Sequence, residues 1–165
     1  MFSSLRSRMR GTPNLAGSLA ALLISCCGVA AMAHGDVTPQ AVDTAGLPSL
    51  GADWKPENPF RGNEAAIKIG TSAYNQNCAR CHGLEAVSGG IAPDLRKLDN
   101  DCVSLKVDTK KKACVAEMDV YFSGSVRHGK VRNGAVYMPP FEGILNQEAV
   151  WSIKSYLETR REKKL

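Results

Sequence analysis

Residues 78–82 read Cys78-Ala79-Arg80-Cys81-His82: two thiols two residues apart, with an imidazole directly after the second. Three chemistries use such a grouping. A redox dithiol wants its CxxC at a strand-to-helix junction, and no strand pattern precedes Cys78. A structural zinc site wants four ligands, commonly from a second paired motif. Cys102 and Cys114 could supply two, but their spacing is wide and no second CxxC occurs. Covalent haem attachment uses every member of the motif. The two thiols add to the two vinyl groups of one porphyrin, and the adjacent histidine reaches the iron from one side. The motif therefore predicts one haem c, attached through Cys78 and Cys81 and ligated by His82.

The iron then needs a sixth ligand or an open site. Past residue 33 the chain holds Met118 and Met138, together with His34 and His128. Met138 stands in Val136-Tyr137-Met138-Pro139-Pro140-Phe141, where the prolines stiffen the backbone and can hold a thioether at a set distance. Met118 sits in a helix-like context that core packing explains. Met138 is the expected axial ligand. His128 is the alternative, and reads otherwise as a surface or propionate-side residue. His34, as a terminal residue, could bind copper through its amine and ring.

The first 33 residues read as an export signal. Arg6, Arg8 and Arg10 precede an apolar run, and Ala31-Met32-Ala33 offers small residues for a cut after Ala33. The run is shorter than the roughly 20 apolar residues of a spanning helix. A second reading is lipidation at Cys26, which ends a Leu-Ile-Ser-Cys box and would tether the protein to a membrane. Setting those three arginines aside leaves 18 basic residues against 16 acidic ones, too even a balance for a nucleic-acid binder. Export to an oxidising periplasm changes the reading of the other thiols. With Cys78 and Cys81 used by haem, Cys102 and Cys114 form an even remainder and are expected to pair. Closing a loop of that length is worth about 3 kcal/mol in the chain-entropy model.

Two helices must position the motif. The first starts at the N-cap candidate Asn63 and brings Ala66, Ile67, Gly70, Tyr74 and Cys78 onto one face. Gly70 costs about 1 kcal/mol against alanine in a helix interior, so close approach of another helix is the expected gain. The second starts at Asn146 and carries Val150, Ile153, Tyr156 and Leu157 as its apolar stripe. Arg160, Arg161, Lys163 and Lys164 then read as a solvated, dipole-complementing end. Residues 34–62 form an irregular extension, with Trp54 and Phe60 as possible anchors. A helix ended by Gly129 is expected around 119–131. The segment after it reads as irregular because Pro139 and Pro140 forbid regular pairing, and no strand alternation stands out. The expected organisation is a signal over 1–33, the extension over 34–62, and an all-α haem domain over 63–165 with an insertion loop between Cys102 and Cys114.

On these residues, 63–162 resemble the monohaem class I cytochromes c. In that family a glycine and an aromatic precede the first haem cysteine by eight and four residues, as Gly70 and Tyr74 do. They cross a C-terminal helix carrying an aliphatic and an aromatic residue three apart, matched by Ile153 and Tyr156. The resemblance further implies that Pro93 offers its carbonyl to the other ring nitrogen of His82. A narrower similarity, spanning nearly all of the chain past residue 33, is to periplasmic cytochromes that accept electrons from PQQ-dependent alcohol dehydrogenases. It implies a monomeric electron carrier that is not an enzyme. The donor would be such a dehydrogenase, and the acceptor a terminal oxidase or another cytochrome. Two other classes stay open: a haem enzyme or sensor with a labile sixth ligand, and a membrane-tethered subunit of a respiratory complex. Arg80, Arg127, Lys130 and Arg132 are candidates either for a docking rim or for neutralising the haem propionates.

Overall fold

The computed structural model describes residues 38–162. The export signal, Cys26 and His34 lie outside the described residues. Among the described residues, five helices and one small hairpin follow in order: α1 Glu64–Asn77, α2 Ala79–His82, α3 Asn100–Val103, α4 Asp108–His128, β1 Lys130–Arg132, β2 Ala135–Met138 and α5 Gln147–Thr159. Two 3-10 turns, Leu84–Ala86 and Leu95–Lys97, bridge α2 to α3. The architecture is mostly helical, in line with the all-α expectation.

The two long-range helices start as their caps dictate. Asn63 accepts from the backbone N–H of Ala66, and Asn146 from that of Ala149. They cross at Gly70. A Cβ on Gly70 would lie 1.9 Å from the carbonyl oxygen of Ser152 and 3.0 Å from the nitrogen of Ile153, so only a hydrogen allows this approach. Tyr74 and Tyr156 meet beside the crossing, with ring centroids 5.2 Å apart.

α5 is more deeply enclosed than its apolar stripe predicts. Every residue from Gln147 to Leu157 is buried. The second cover is the extension, which carries no regular element over residues 38–62 yet is tied to α5 by polar bonds. The N–H of Leu50 donates to Glu148 Oε1 at 2.7 Å, and Asn58 Nδ2 donates to Ser155 Oγ at 3.0 Å. Ser155 Oγ in turn donates to the carbonyl of Phe60. Phe60 is buried and Trp54 packs half-buried on the core.

Beneath this strap lies a charged cluster absent from the expectations above. Lys154, 1% exposed at its side chain, places its ammonium 2.9 Å from Asp99, 2.9 Å from Glu158 and 3.4 Å from Asp119. Arg61 pairs with Asp119 and Glu158, and Arg161 with Asp99. Arg161 is therefore part of a half-buried ion network, a correction to its reading as a solvated helix end; Arg160 likewise pairs with Glu85. Burial alone would raise the Asp99 carboxyl, but the Arg161 hydrogen bonds and the Lys154 charge outweigh it and hold it at about 2. A depressed native value stabilises the fold above the unfolded value of about 3.9. Acid unfolding should thus steepen as pH falls from about 4 towards 2. In Asp99→Asn that portion of the pH dependence disappears from the melting temperature.

Cys102 and Cys114 are disulfide-bonded, with Cα atoms 5.3 Å apart. The segment between them is not simply a loop. It holds the end of α3, a short turn and the first residues of α4, so the bond staples two helices. The chain after α4 also departs from expectation. It forms an antiparallel hairpin, with Arg132 opposite Ala135 and Lys130 opposite Met138. Asn133 and Gly134 make the two-residue turn with φ of 50° and 78°, the paired positive angles that an Asn-Gly hairpin turn requires. The prolines end the strand instead of preventing it, because they follow Met138.

Candidate functional site

The pentad begins where α1 ends. The N–H of Cys78 still bonds to the carbonyl of Tyr74, and those of Cys81 and His82 return to the carbonyl of Cys78 at 3.1 and 2.9 Å. One helical turn therefore carries both thiols and the imidazole. Gly83 closes it with φ of 81°; a Cβ there would fall 1.8 Å from the carbonyl oxygen of Val87. The following turn can fold back against the pentad only because residue 83 is glycine. Tyr74 reinforces the corner by donating its hydroxyl to the Gly83 carbonyl at 2.8 Å.

His82 Nδ1 lies 2.9 Å from the carbonyl oxygen of Pro93. A carbonyl only accepts, so Nδ1 carries the proton and Nε2 is left with its lone pair for a metal. The contact implied for Pro93 is present.

Cys78, Cys81, His82, Pro93 and Met138 all line one cleft of about 980 Å³, measured out to its open mouth. Leu95, Leu98, Phe122, Val126, Phe141 and Ile153 supply its apolar wall. Met118 and His128 are not among its lining residues. His128 Nε2 lies instead 3.5 Å from Glu142 at the surface. Gly129 brings the Met138 segment in. With φ of 69°, its Cα sits so close that a Cβ would stand 2.3 Å from the carbonyl oxygen of Met138. The N–H of Phe141 then bonds to the carbonyl of Val126 at 3.0 Å, returning the segment to α4.

The alternatives to haem fare poorly in this setting. Burial pushes the Cys78 thiol up to about 12, with the Cys81 thiol adding in the same direction; a redox dithiol needs the reverse. Cys102 and Cys114 bond to each other and so cannot complete a zinc set. Two thiols on one turn, one imidazole nitrogen and one thioether sulfur around an apolar cleft fit a haem.

Of the four candidate cations, Lys130 lines the cleft, with its ammonium 4.6 Å from the centre of the Tyr121 ring. Arg80 and Arg132 are exposed. Arg127 is engaged elsewhere, donating through Nε to Glu142 at 3.0 Å. Sequence reasoning missed the lining residues Tyr121, Phe122 and Val126 of α4 and Tyr137 of the hairpin. The Asn133-Gly134 pair, flanked by Val131 and Val136, was the available signal for the hairpin.

The family model described as "Cytochrome C oxidase, cbb3-type, subunit III" matches residues 65–157, and with the fold and cleft above the chain belongs to the class I cytochrome c family. It is 53% identical over 133 residues to cytochrome c550 of Pseudomonas aeruginosa, a match covering 78% of this chain and 82% of that one. It is also 35% identical over 106 residues to quinohemoprotein alcohol dehydrogenase ADH-IIG of Pseudomonas putida, covering 64% of this chain and 12% of that enzyme. A second such enzyme of the same organism, ADH IIB, is 30% identical over 94 residues. No solved structure gave a significant match. Membership implies haem c and makes this an electron-transfer protein, not an enzyme. Among the described residues, no helix is long and apolar enough to cross a membrane.

Proposed function

We propose that this c-type cytochrome carries single electrons in the periplasm from a PQQ-dependent alcohol dehydrogenase towards a terminal oxidase or another cytochrome. The observation that carries the reading is the single cleft lined by both pentad thiols, His82 and Met138. Haem c bound there supplies a one-electron ferric–ferrous couple. Cys78 and Cys81 would hold the group covalently, and His82 and Met138 would ligate its iron. Pro93 fixes the ring orientation of His82. A histidine–methionine pair keeps the potential above that of two histidines. The apolar wall excludes water and favours the less charged ferrous state. The likeness to about an eighth of the length of two quinohemoprotein alcohol dehydrogenases supports the donor.

Stopped-flow reduction by a purified PQQ-dependent alcohol dehydrogenase tests the partnership. Saturable reduction that slows with added salt is expected; no reduction beyond the buffer rate rejects the donor. Acid-acetone treatment should leave the colour with the protein. Met138→Ala should abolish the near-infrared sulfur–iron band of the ferric protein, whereas His128→Ala should leave it intact. A mature mass beginning at His34 fits the cut after Ala33, and a lipid adduct on Cys26 would replace it with a tether.

A further inference from the structure

The Met138 segment is held by α4, and the extension reaches it through Arg127. Arg127, at the end of α4, donates through Nε to Glu142 Oε1 at 3.0 Å, while the backbone N–H of Glu142 bonds to the Arg127 carbonyl at 3.2 Å. Glu142 follows Met138 by four residues, so this double contact ties down the far end of the segment. Its near end is already fixed by the pairing of Met138 with Lys130 and by the contact at Gly129.

One face of the Arg127 guanidinium is covered by the extension. Its central carbon lies 4.4 Å from the ring centre of Trp54. Trp54 is itself held in place by one side chain of α5. Gln147 Nε2 donates to the carbonyls of Gly51 at 2.6 Å and Asp53 at 3.2 Å, and Gln147 Oε1 accepts from the N–H of Lys55 at 3.2 Å. Three backbone groups around Trp54 are thus secured, and the indole has a fixed place to present its face.

We propose that Trp54, Arg127 and Glu142 are positioning residues, a clamp that couples the N-terminal extension to the Met138 segment and sets how easily the sulfur leaves the iron. This rests on Met138 being the axial ligand. A guanidinium stacked on an indole keeps fewer orientations, so its grip on Glu142, through Nε and Nη2 on one carboxylate oxygen, is formed more of the time. When the indole is removed the grip loosens, the segment after Met138 gains freedom, and the state with the sulfur displaced becomes more populated. A small external ligand competes with the sulfur for one coordination position, and its apparent affinity rises with that population.

The test uses the haem-loaded ferric protein, with imidazole as the competing ligand. Trp54→Ala and Glu142→Gln should each raise imidazole affinity by about 5–30-fold. Trp54→Phe, which keeps a ring face, should restore most of the difference. Leu50→Ala, in the same extension but away from Arg127, serves as the control for general loosening. The double variant Trp54→Ala/Glu142→Gln should bind imidazole little better than either single one, because both break the same link. The proposal is overturned if Trp54→Ala shifts imidazole affinity no further than Leu50→Ala does, or if the two effects simply add. Met138→Ala separates this from the underlying reading. If it retains the sulfur–iron band, the ligand assignment fails. If the band is lost while Trp54→Ala behaves as wild type, the clamp alone fails.

Discussion

Replacing Lys154 with methionine should destabilise the protein by about 3–5 kcal/mol, measured by urea unfolding of the haem-loaded form. The substitution keeps an unbranched, flexible side chain, one atom shorter, and removes the ammonium with its charge and its hydrogen-bond donors. Lys154 is fully enclosed in α5, and its ammonium is shared among Asp99, Asp119 and Glu158. Without it the three carboxylates face two arginines, Arg61 and Arg161, whose side chains are 37% and 28% exposed. Buried negative charge is then left in excess, and water cannot reach it. The loss measures that imbalance, not a net worth of the intact network, since buried pairs often contribute little beyond their own desolvation. An exposed pair in the same protein gives the contrast. Lys97 and Glu162, 59% and 41% exposed at 3.6 Å, should yield less than about 1 kcal/mol when Lys97 becomes methionine. A Lys154→Met loss as small as that would mean the cluster is open to water.

Gly70→Ala should destabilise by about 3 kcal/mol, although helix propensity alone argues for a gain of about 1 kcal/mol. The added methyl would stand 1.9 Å from a carbonyl oxygen and 2.4 Å from its carbon. Those atoms belong to the backbone of Ser152 and cannot rotate away. α1 and α5 must separate, and the Tyr74–Tyr156 contact and Ile153 in the cleft wall go with them. The haem spectrum should therefore broaden along with the loss of stability. Gly124 supplies the opposite case within α4. Nothing lies within 4 Å of its missing side chain, so Gly124→Ala should stabilise by about 0.5–1 kcal/mol. The two alanine variants should differ in sign, and equal effects would show that the crossing at Gly70 is looser than its geometry.

Much of the site was readable because it is local. The pentad, the caps at Asn63 and Asn146, the helix end at Gly129 and the small residue at the crossing each act within a few positions or follow a helical period. The apolar stripe of α5 was readable for the same reason. Its polar side was not. Ser152, Lys154 and Ser155 carry no sign that they are buried, since the groups that satisfy Lys154 and Ser155 come from Asn58, Asp99 and Asp119. The hairpin was a different kind of omission. The Asn133-Gly134 signal was present but was outweighed by the two prolines, which prove to sit just beyond the last paired residue.

By itself, the sequence determined that this chain handles a porphyrin and where the two thiols and the histidine would stand, because their relations are set along one helical turn. It also marked the two helices that must cross, since only a glycine's cost needs that explanation. The tertiary structure alone decided that a hairpin and Gly129 carry the Met138 segment to the cleft, that the extension wraps α5, and that six charges from distant segments meet behind it. Those outcomes depend on packing between parts of the chain far apart in sequence, where no periodicity or spacing carries the information.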